Sequence, residues 1–272
     1  MALDESLEFL VEEWLWNEGA AAVMKPAAHI RERRIEALFQ SLDEASIAKR
    51  LSLALSGEPG GITGISFEEV ADDAWLDRWR REFKPFRVGR FLFVGEWEDV
   101  PDRPDTLKIY PGQAFGTGRH ETTRLMIRNM QRMEIEGKRV LDVGCGSGIL
   151  SLVAERLGAA SVEGFDNDPD CRENMLHHLA INQARRTRLH IGTLEDFDFG
   201  PFDVILANIT LNVLYSLWPN LRVRLRRDGL LLCSGILAEQ EEEARKGLTE
   251  AGFKLDLSQS EGEWILLTAR CG

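Results

Sequence analysis

Residues 138–168 read KRVLDVGCGSGILSLVAERLGAASVEGFDND. Val140, Leu141 and Val143 form a short apolar run of the kind that suits a buried parallel strand. Gly144-Cys145-Gly146-Ser147-Gly148 follows directly, so the chain has to turn sharply there. Glycine accepts positive φ and lets a ligand approach the main chain with no Cβ in the way, and the free amides of the helix that follows favour polar groups. The pattern predicts a helix over 149–157 and a second strand over Ser161 to Phe165. That strand ends at Asp166, 22 residues after Gly144. A carboxylate in that place can accept both hydroxyl protons of a ribose, so the expected ligand carries one.

A nicotinamide or flavin site reads GxGxxG. Counting from Gly144, the sixth position is Ile149, and the spacing is GxGxG, which sets dinucleotide binding aside. The tighter spacing, preceded by an acid inside the strand (Asp142) and followed by Asp166, resembles the first motif of class I S-adenosylmethionine-dependent methyltransferases. In those enzymes the loop faces the amino-acid end of the cofactor.

A chain of 272 residues is long for one domain and short for two full ones, so a catalytic domain with a smaller appendage is expected. No apolar run approaches the 18 or more residues that span a bilayer, and the N-terminal stretch is acidic where an export signal is basic and then apolar. Cys145, Cys171, Cys233 and Cys271 show no ligand spacing, so we expect reduced thiols, no structural metal and a cytoplasmic protein. The net charge of −12 has the wrong sign for a protein whose main partner is a phosphate backbone; it suits a basic protein partner, and equally a surface that is merely soluble. Residues 1–71 carry six basic and thirteen acidic side chains, which concentrates the excess in the appendage.

Along residues 1–71 the periodicity predicts a helix over 3–16 and strands over Ala20 to Met24 and Arg34 to Ser41. A helix over Asp43 to Leu55 and a strand over Ile62 to Val70 complete the pattern. This is a ferredoxin-like α+β order lacking its first strand. Residues 72–106 read as a linker with an aromatic stripe, Trp75, Trp79 and Phe83, followed by Phe86, Phe91, Phe93 and Trp97, expected to pack rather than to stack on bases. From Leu107 to the end, strands and helices alternate as in a Rossmann-like α/β domain with a mostly parallel seven-stranded sheet. The hairpin-length link Ser258 to Glu263 makes the last strand antiparallel. The expected domains are thus 1–71, a 72–106 linker and 107–272.

Two further segments face the expected cofactor. PGQAFGTGRHETT, residues 111–123, is dense in glycine and hydroxyl groups and leads into an apolar helical pattern from Leu125 to Met133; Phe115, Gly116, Thr117 and Thr123 are its candidate contacts. FDVILAN ends at Asn208, on the carboxyl edge where open α/β sheets bind ligands, and its amide can accept hydrogen bonds from an amine. Ile209 and Thr210 follow where amino-group methyltransferases of nucleic-acid bases carry prolines and an aromatic. Glu195 or Asp196, beyond the third strand, could face an adenine amine.

The ordered set PGQAFGTGRHETT, LDVGCGSG, DNDP, ANI and SGIL over residues 111–237, with WLDRWRREFKPFRVG upstream and EGEW downstream, resembles the bacterial ribosomal protein L-eleven methyltransferase family, PrmA. The resemblance implies S-adenosylmethionine bound by Thr123, Gly144 in the glycine turn, Asp166 on the ribose, and Asn208 at the methyl end; Gly146, in the same turn, is a further candidate contact. It also implies that a basic large-subunit ribosomal protein is the substrate, recognised by the N-terminal domain, which looks shortened by a strand. Methylation of another protein lysine or a small amine is the alternative substrate reading. A non-catalytic adenosyl-binding module is the alternative of another class.

Overall fold

In the computed structural model the described residues are 83–101, 103–110, 118–197 and 200–271, preceded by 11, 14–15, 22–24, 35–38, 43–54, 65–67 and 80–81. By contact the chain divides into two compact units, 1–82 with 111–115 and, larger, 83–110 with 116–272.

In the smaller unit Val11, Trp14 and Leu15 are helical, and Val11 and Leu15, four residues apart, are buried. Strand β1 (Ala22–Met24) pairs antiparallel with β2 (Glu36–Leu38). Helix α1 (Glu44–Ala54) starts after Asp43, whose carboxylate accepts the Ser46 amide at 3.4 Å, and buries Ile47 and Leu51. The strand expected over Ile62 to Val70 departs from expectation where it is described: residues 65–67 have no regular structure, and Ile65 and Phe67 are exposed. Among the described residues no strand pairs with 65–67, and an alternating apolar pattern alone does not make a strand. The rest of the ferredoxin-like order lies outside the described residues.

The larger unit is built on seven strands: β6 (Arg139–Val143), β7 (Ser161–Asp166), β8 (Thr187–Ile191), β9 (Phe202–Asn208), β10 (Leu225–Leu237), β11 (Phe253–Glu261) and β12 (Trp264–Cys271). Their spatial order is β11-β12-β10-β9-β6-β7-β8. All run parallel except β12, which lies antiparallel between β10 and β11. The central strands are apolar on both faces because helices cover both. Leu141, Val143, Ile205 and Ala207 pack in one cluster with Leu211, Leu214, Trp218 and Leu221 of α5 (Leu211–Arg224) and with Ala244 and Leu248 of α6 (Glu241–Glu250). On the other face Asp142 meets Ser151 of α3 (Ile149–Arg156). Helices α2 (Glu121–Met130) and α4 (Cys171–Ile181) complete the set.

The segment from Phe86 to Ile109 forms a separate three-stranded sheet within this unit: β3 (Phe86–Val88), β4 (Phe91–Gly95) and β5 (Thr106–Ile109). The strand at Leu107 therefore pairs with β4 and stands apart from the main sheet's alternation. The aromatic residues here pack on one another: Phe86 stacks on Phe93 at 5.0 Å, and Phe83 meets Trp97 edge-on at 5.9 Å. Trp75 and Trp79 lie outside the described residues. Among the described residues no helix is long and apolar enough to cross a membrane.

Candidate active site

The register of the parallel sheet places the site. Strand β6 runs between β9 and β7, with Val143 opposite Ala207 on one side and Phe165 on the other. One residue further on, Gly144 leaves the sheet flanked by Asn208 and Asp166. This is the point where strand order reverses, since the chain winds from β6 outward to β7 and β8 and then returns to β9 on the other side; open α/β sheets bind ligands there.

The turn has the backbone that its glycines permit. Gly144, Gly146 and Gly148 sit at φ of 67°, 48° and 76°. A Cβ on Gly144 would collide with the Ile209 side chain, so a larger residue here has to displace Ile209, the neighbour of Asn208. The turn is tied to the next strand by amides: those of Gly144 and Cys145 donate to the Phe165 carbonyl at 2.8 and 2.9 Å, and that of Gly146 donates to Asp166 Oδ2 at 2.8 Å. Asp166 Oδ1 accepts the Asp168 amide at 3.0 Å. Burial pushes the Asp166 carboxyl above its ordinary value, and these amides pull it back. Each of its oxygens keeps a lone pair for a further donor.

Beneath the turn, Asp142 is fully enclosed. Ser151 Oγ donates to its Oδ2 at 2.6 Å, while Oδ1 has no partner. Burial first, then the charge of Asp166, raises its carboxyl to about 7.

Asn208 and Thr123 come together: Asn208 Nδ2 lies 3.4 Å from Thr123 Oγ1. Thr123 is buried in the first turn of α2, which starts four residues before the expected Leu125 because His120 caps it, its Nδ1 accepting the Thr122 amide at 3.3 Å. Asn208 Oδ1 is buried with no hydrogen-bond partner. An acceptor left so is costly unless a donor arrives, and a ligand N–H or O–H at the sheet edge would satisfy it. Asp166, Gly144, Gly146, Asn208 and Thr123 thus form one constellation. Phe115, Gly116 and Thr117 lie outside the described residues.

Glu195 and Asp196 are otherwise engaged. Asp196 Oδ2 accepts from the amide and hydroxyl of Thr193 at 2.8 and 2.9 Å, and Glu195 Oε1 accepts from Asn220 at 2.5 Å. An open cavity of about 380 Å³ walled by Lys84, Phe86, Arg87, Arg119 and Arg124 contains none of the expected cofactor residues. No cluster of metal-ligating side chains occurs among the described residues.

A polar stripe on α4 escaped the sequence reading. Asn182 exchanges two hydrogen bonds with the Lys108 backbone, its Oδ1 accepting the amide and its Nδ2 donating to the carbonyl, both at 2.8 Å. His178 is buried between the Tyr110 amide and the Ser147 carbonyl. Asn174, one turn earlier, is buried with both amide atoms unpartnered. The i, i+4, i+8 spacing of three polar residues on a helix was the available signal.

Known proteins match this chain over most of its length. A ribosomal protein L11 methyltransferase of Pseudomonas paraeruginosa is 38% identical over 238 residues, covering 86% of this chain and 79% of its own. One from Acetivibrio thermocellus is 33% identical over 271 residues, covering 98% and 84%. The crystal structure of a ribosomal protein L11 methylase from Lactobacillus delbrueckii subsp. bulgaricus superposes with a TM-score of 0.65 at 33% identity, over 70% of this chain and all of that one. With the family model matching residues 6–271 as well, the chain belongs to the ribosomal protein L11 methyltransferase (PrmA) family.

Proposed function

We propose that this protein transfers methyl groups from S-adenosylmethionine to amino groups of ribosomal protein L11 in the cytoplasm. The observation that carries the reading is the row Asp166, Gly144, Asn208 across three strand ends, with the Asn208 carbonyl oxygen buried and unpartnered. The cofactor supplies a methyl group on a sulfonium, which is already activated for displacement. Asp166 accepts from the ribose hydroxyls, Gly144 and Gly146 let the main chain approach, and the Thr123 hydroxyl lines the same edge. The glycine- and hydroxyl-rich sequence of residues 111–123 makes Phe115, Gly116 and Thr117 further candidate cofactor contacts.

What remains for the protein is to align an amine behind the methyl carbon and keep water out. Positioning of this kind is worth roughly 7 to 11 kcal/mol at best. Asn208 Oδ1 accepts an N–H of the amine, which turns the nitrogen lone pair toward the methyl group. The amine has to be neutral. At pH 7 that costs roughly 4.6 kcal/mol for a lysine of pKa about 10.4 and about 1 kcal/mol for an α-amino group, and both are within reach; the proton leaves to water. The acidic surface, net −12, attracts a basic ribosomal protein.

The test is mass spectrometry of recombinant ribosomal protein L11 after incubation with enzyme and S-adenosylmethionine, with cofactor binding followed by calorimetry. Mass gains in whole methyl units on lysines or the N-terminal amine are expected. An unmodified substrate in the presence of bound cofactor would refute the substrate, and absence of cofactor binding would refute the reaction. Asn208→Ala should lower turnover by about 10- to 100-fold, the loss of one oriented hydrogen bond, while cofactor affinity changes less.

A further inference from the structure

Resting on that reading, the geometry points to His178 as a positioning residue for cofactor binding: its imidazole bridges the glycine turn and the end of β5, and so fixes the turn's place in the site. Its Nδ1 lies 2.8 Å from the Ser147 carbonyl oxygen and its Nε2 lies 2.8 Å from the Tyr110 amide nitrogen. The two partners dictate the ring's state. A backbone N–H can only donate and a carbonyl can only accept, so the proton belongs on Nδ1 and Nε2 carries the lone pair. Burial, which lowers the pKa to about 4, keeps the ring neutral, and a doubly protonated ring would lose the Tyr110 bond.

Both ends of the bridge matter. Ser147 sits between Gly146, whose amide holds Asp166, and Gly148, which opens α3. Tyr110 is held a second time through its ring, 4.5 Å from that of His177, whose Nε2 lies 2.6 Å from Glu96 Oε2. Asn182, one helical turn beyond His178, clips Lys108 in the same manner. Helix α4 therefore grips the β5 edge at alternate residues and passes that fixed reference through the His178 hydrogen bond to the turn, which Met175 of the same helix also touches at Cys145. The turn is already tied to β7 through the amides of Gly144, Cys145 and Gly146, and the His178 bond adds a tether from α4 at Ser147, between two glycines of positive φ.

His178→Leu removes both hydrogen bonds in an apolar side chain. His178→Gln keeps an amide N–H for Ser147 and a carbonyl oxygen for Tyr110. The expected result is a rise of roughly tenfold or more in the cofactor Kd and KM for the leucine variant, with kcat at saturating cofactor within about twofold of wild type, and substantial rescue by glutamine. Wild-type protein gives a second measurement that needs no variant. The imidazole ¹⁵N resonances of His178 should report the Nδ1-protonated tautomer and should shift on saturation with S-adenosylmethionine. A folded leucine variant with wild-type cofactor affinity would overturn the proposal, as would ¹⁵N resonances unmoved by bound cofactor. If wild-type protein binds no cofactor, the functional reading itself falls and this proposal with it.

Discussion

Asp142→Asn should stabilise the protein at neutral and alkaline pH, by an amount that follows from the burial of this carboxylate. The Asp142 carboxyl titrates at about 7 in the folded protein against an ordinary 3.8. Between those values the folded state keeps a proton that the unfolded chain has released, so stability is fully present below 3.8 and is lost as pH rises through 7. About three pH units at 1.36 kcal/mol each make the loss at most about 4 kcal/mol by pH 8. The wild-type curve alone will not display it, because His178 works in the opposite sense. Its folded value of about 4 lies below the ordinary 6.5, so its contribution falls away as the solution is acidified across that interval. The informative quantity is the difference between variant and wild type, from urea titrations at pH 4 to 9. It should start near zero and climb to a plateau of up to about 4 kcal/mol above pH 7. Parallel curves at all pH values would refute the claim that a buried, half-satisfied carboxylate is held under the glycine turn.

Three other outcomes are expected. His178→Gln should flatten the acid limb of the stability curve, recovering up to about 3 kcal/mol between pH 6.5 and 4, as read from the same titrations. Gly144→Ala should cost at least about 1–2 kcal/mol for the left-handed backbone at φ 67° and weaken cofactor binding by displacing Ile209, which thermal melts and calorimetry would register. Glu261→Gln, which loosens the bonds from Arg124 Nε at 2.8 Å and Arg128 Nη1 at 2.6 Å linking α2 to β11, should cost less than about 1 kcal/mol in urea because the groups are partly exposed, and should leave cofactor affinity unchanged.

The candidate site was legible where its residues are local. The glycine turn, the acid closing the next strand and the amide closing FDVILAN are each written in a few consecutive residues, and parallel pairing brings them into one row without further instruction. Other features depend on partners far along the chain. His178 and Asn182 look like ordinary helix residues until Tyr110 and Lys108, 68 and 74 positions earlier, arrive beside them. The four-residue strand at Leu107 reads the same whichever sheet receives it; pairing with β4 is settled by tertiary contact. Strand β10 starts at Leu225, ahead of the apolar run that opens at Leu230, because a register irregularity between Leu225 and Leu230 carries the ladder on β9 across Arg226 to Gly229.

The place of β12 constrains how the sheet can be assembled. It is later in the chain than β11 yet stands between β11 and β10, so Phe253–Glu261 finds no partner until Trp264–Cys271 has inserted. Until then Leu225–Leu237 offers a bare ladder of amides and carbonyls, the sort of edge that recruits foreign strands. Shortening the chain ahead of Trp264 would thus forfeit two strands at once and leave that edge unguarded.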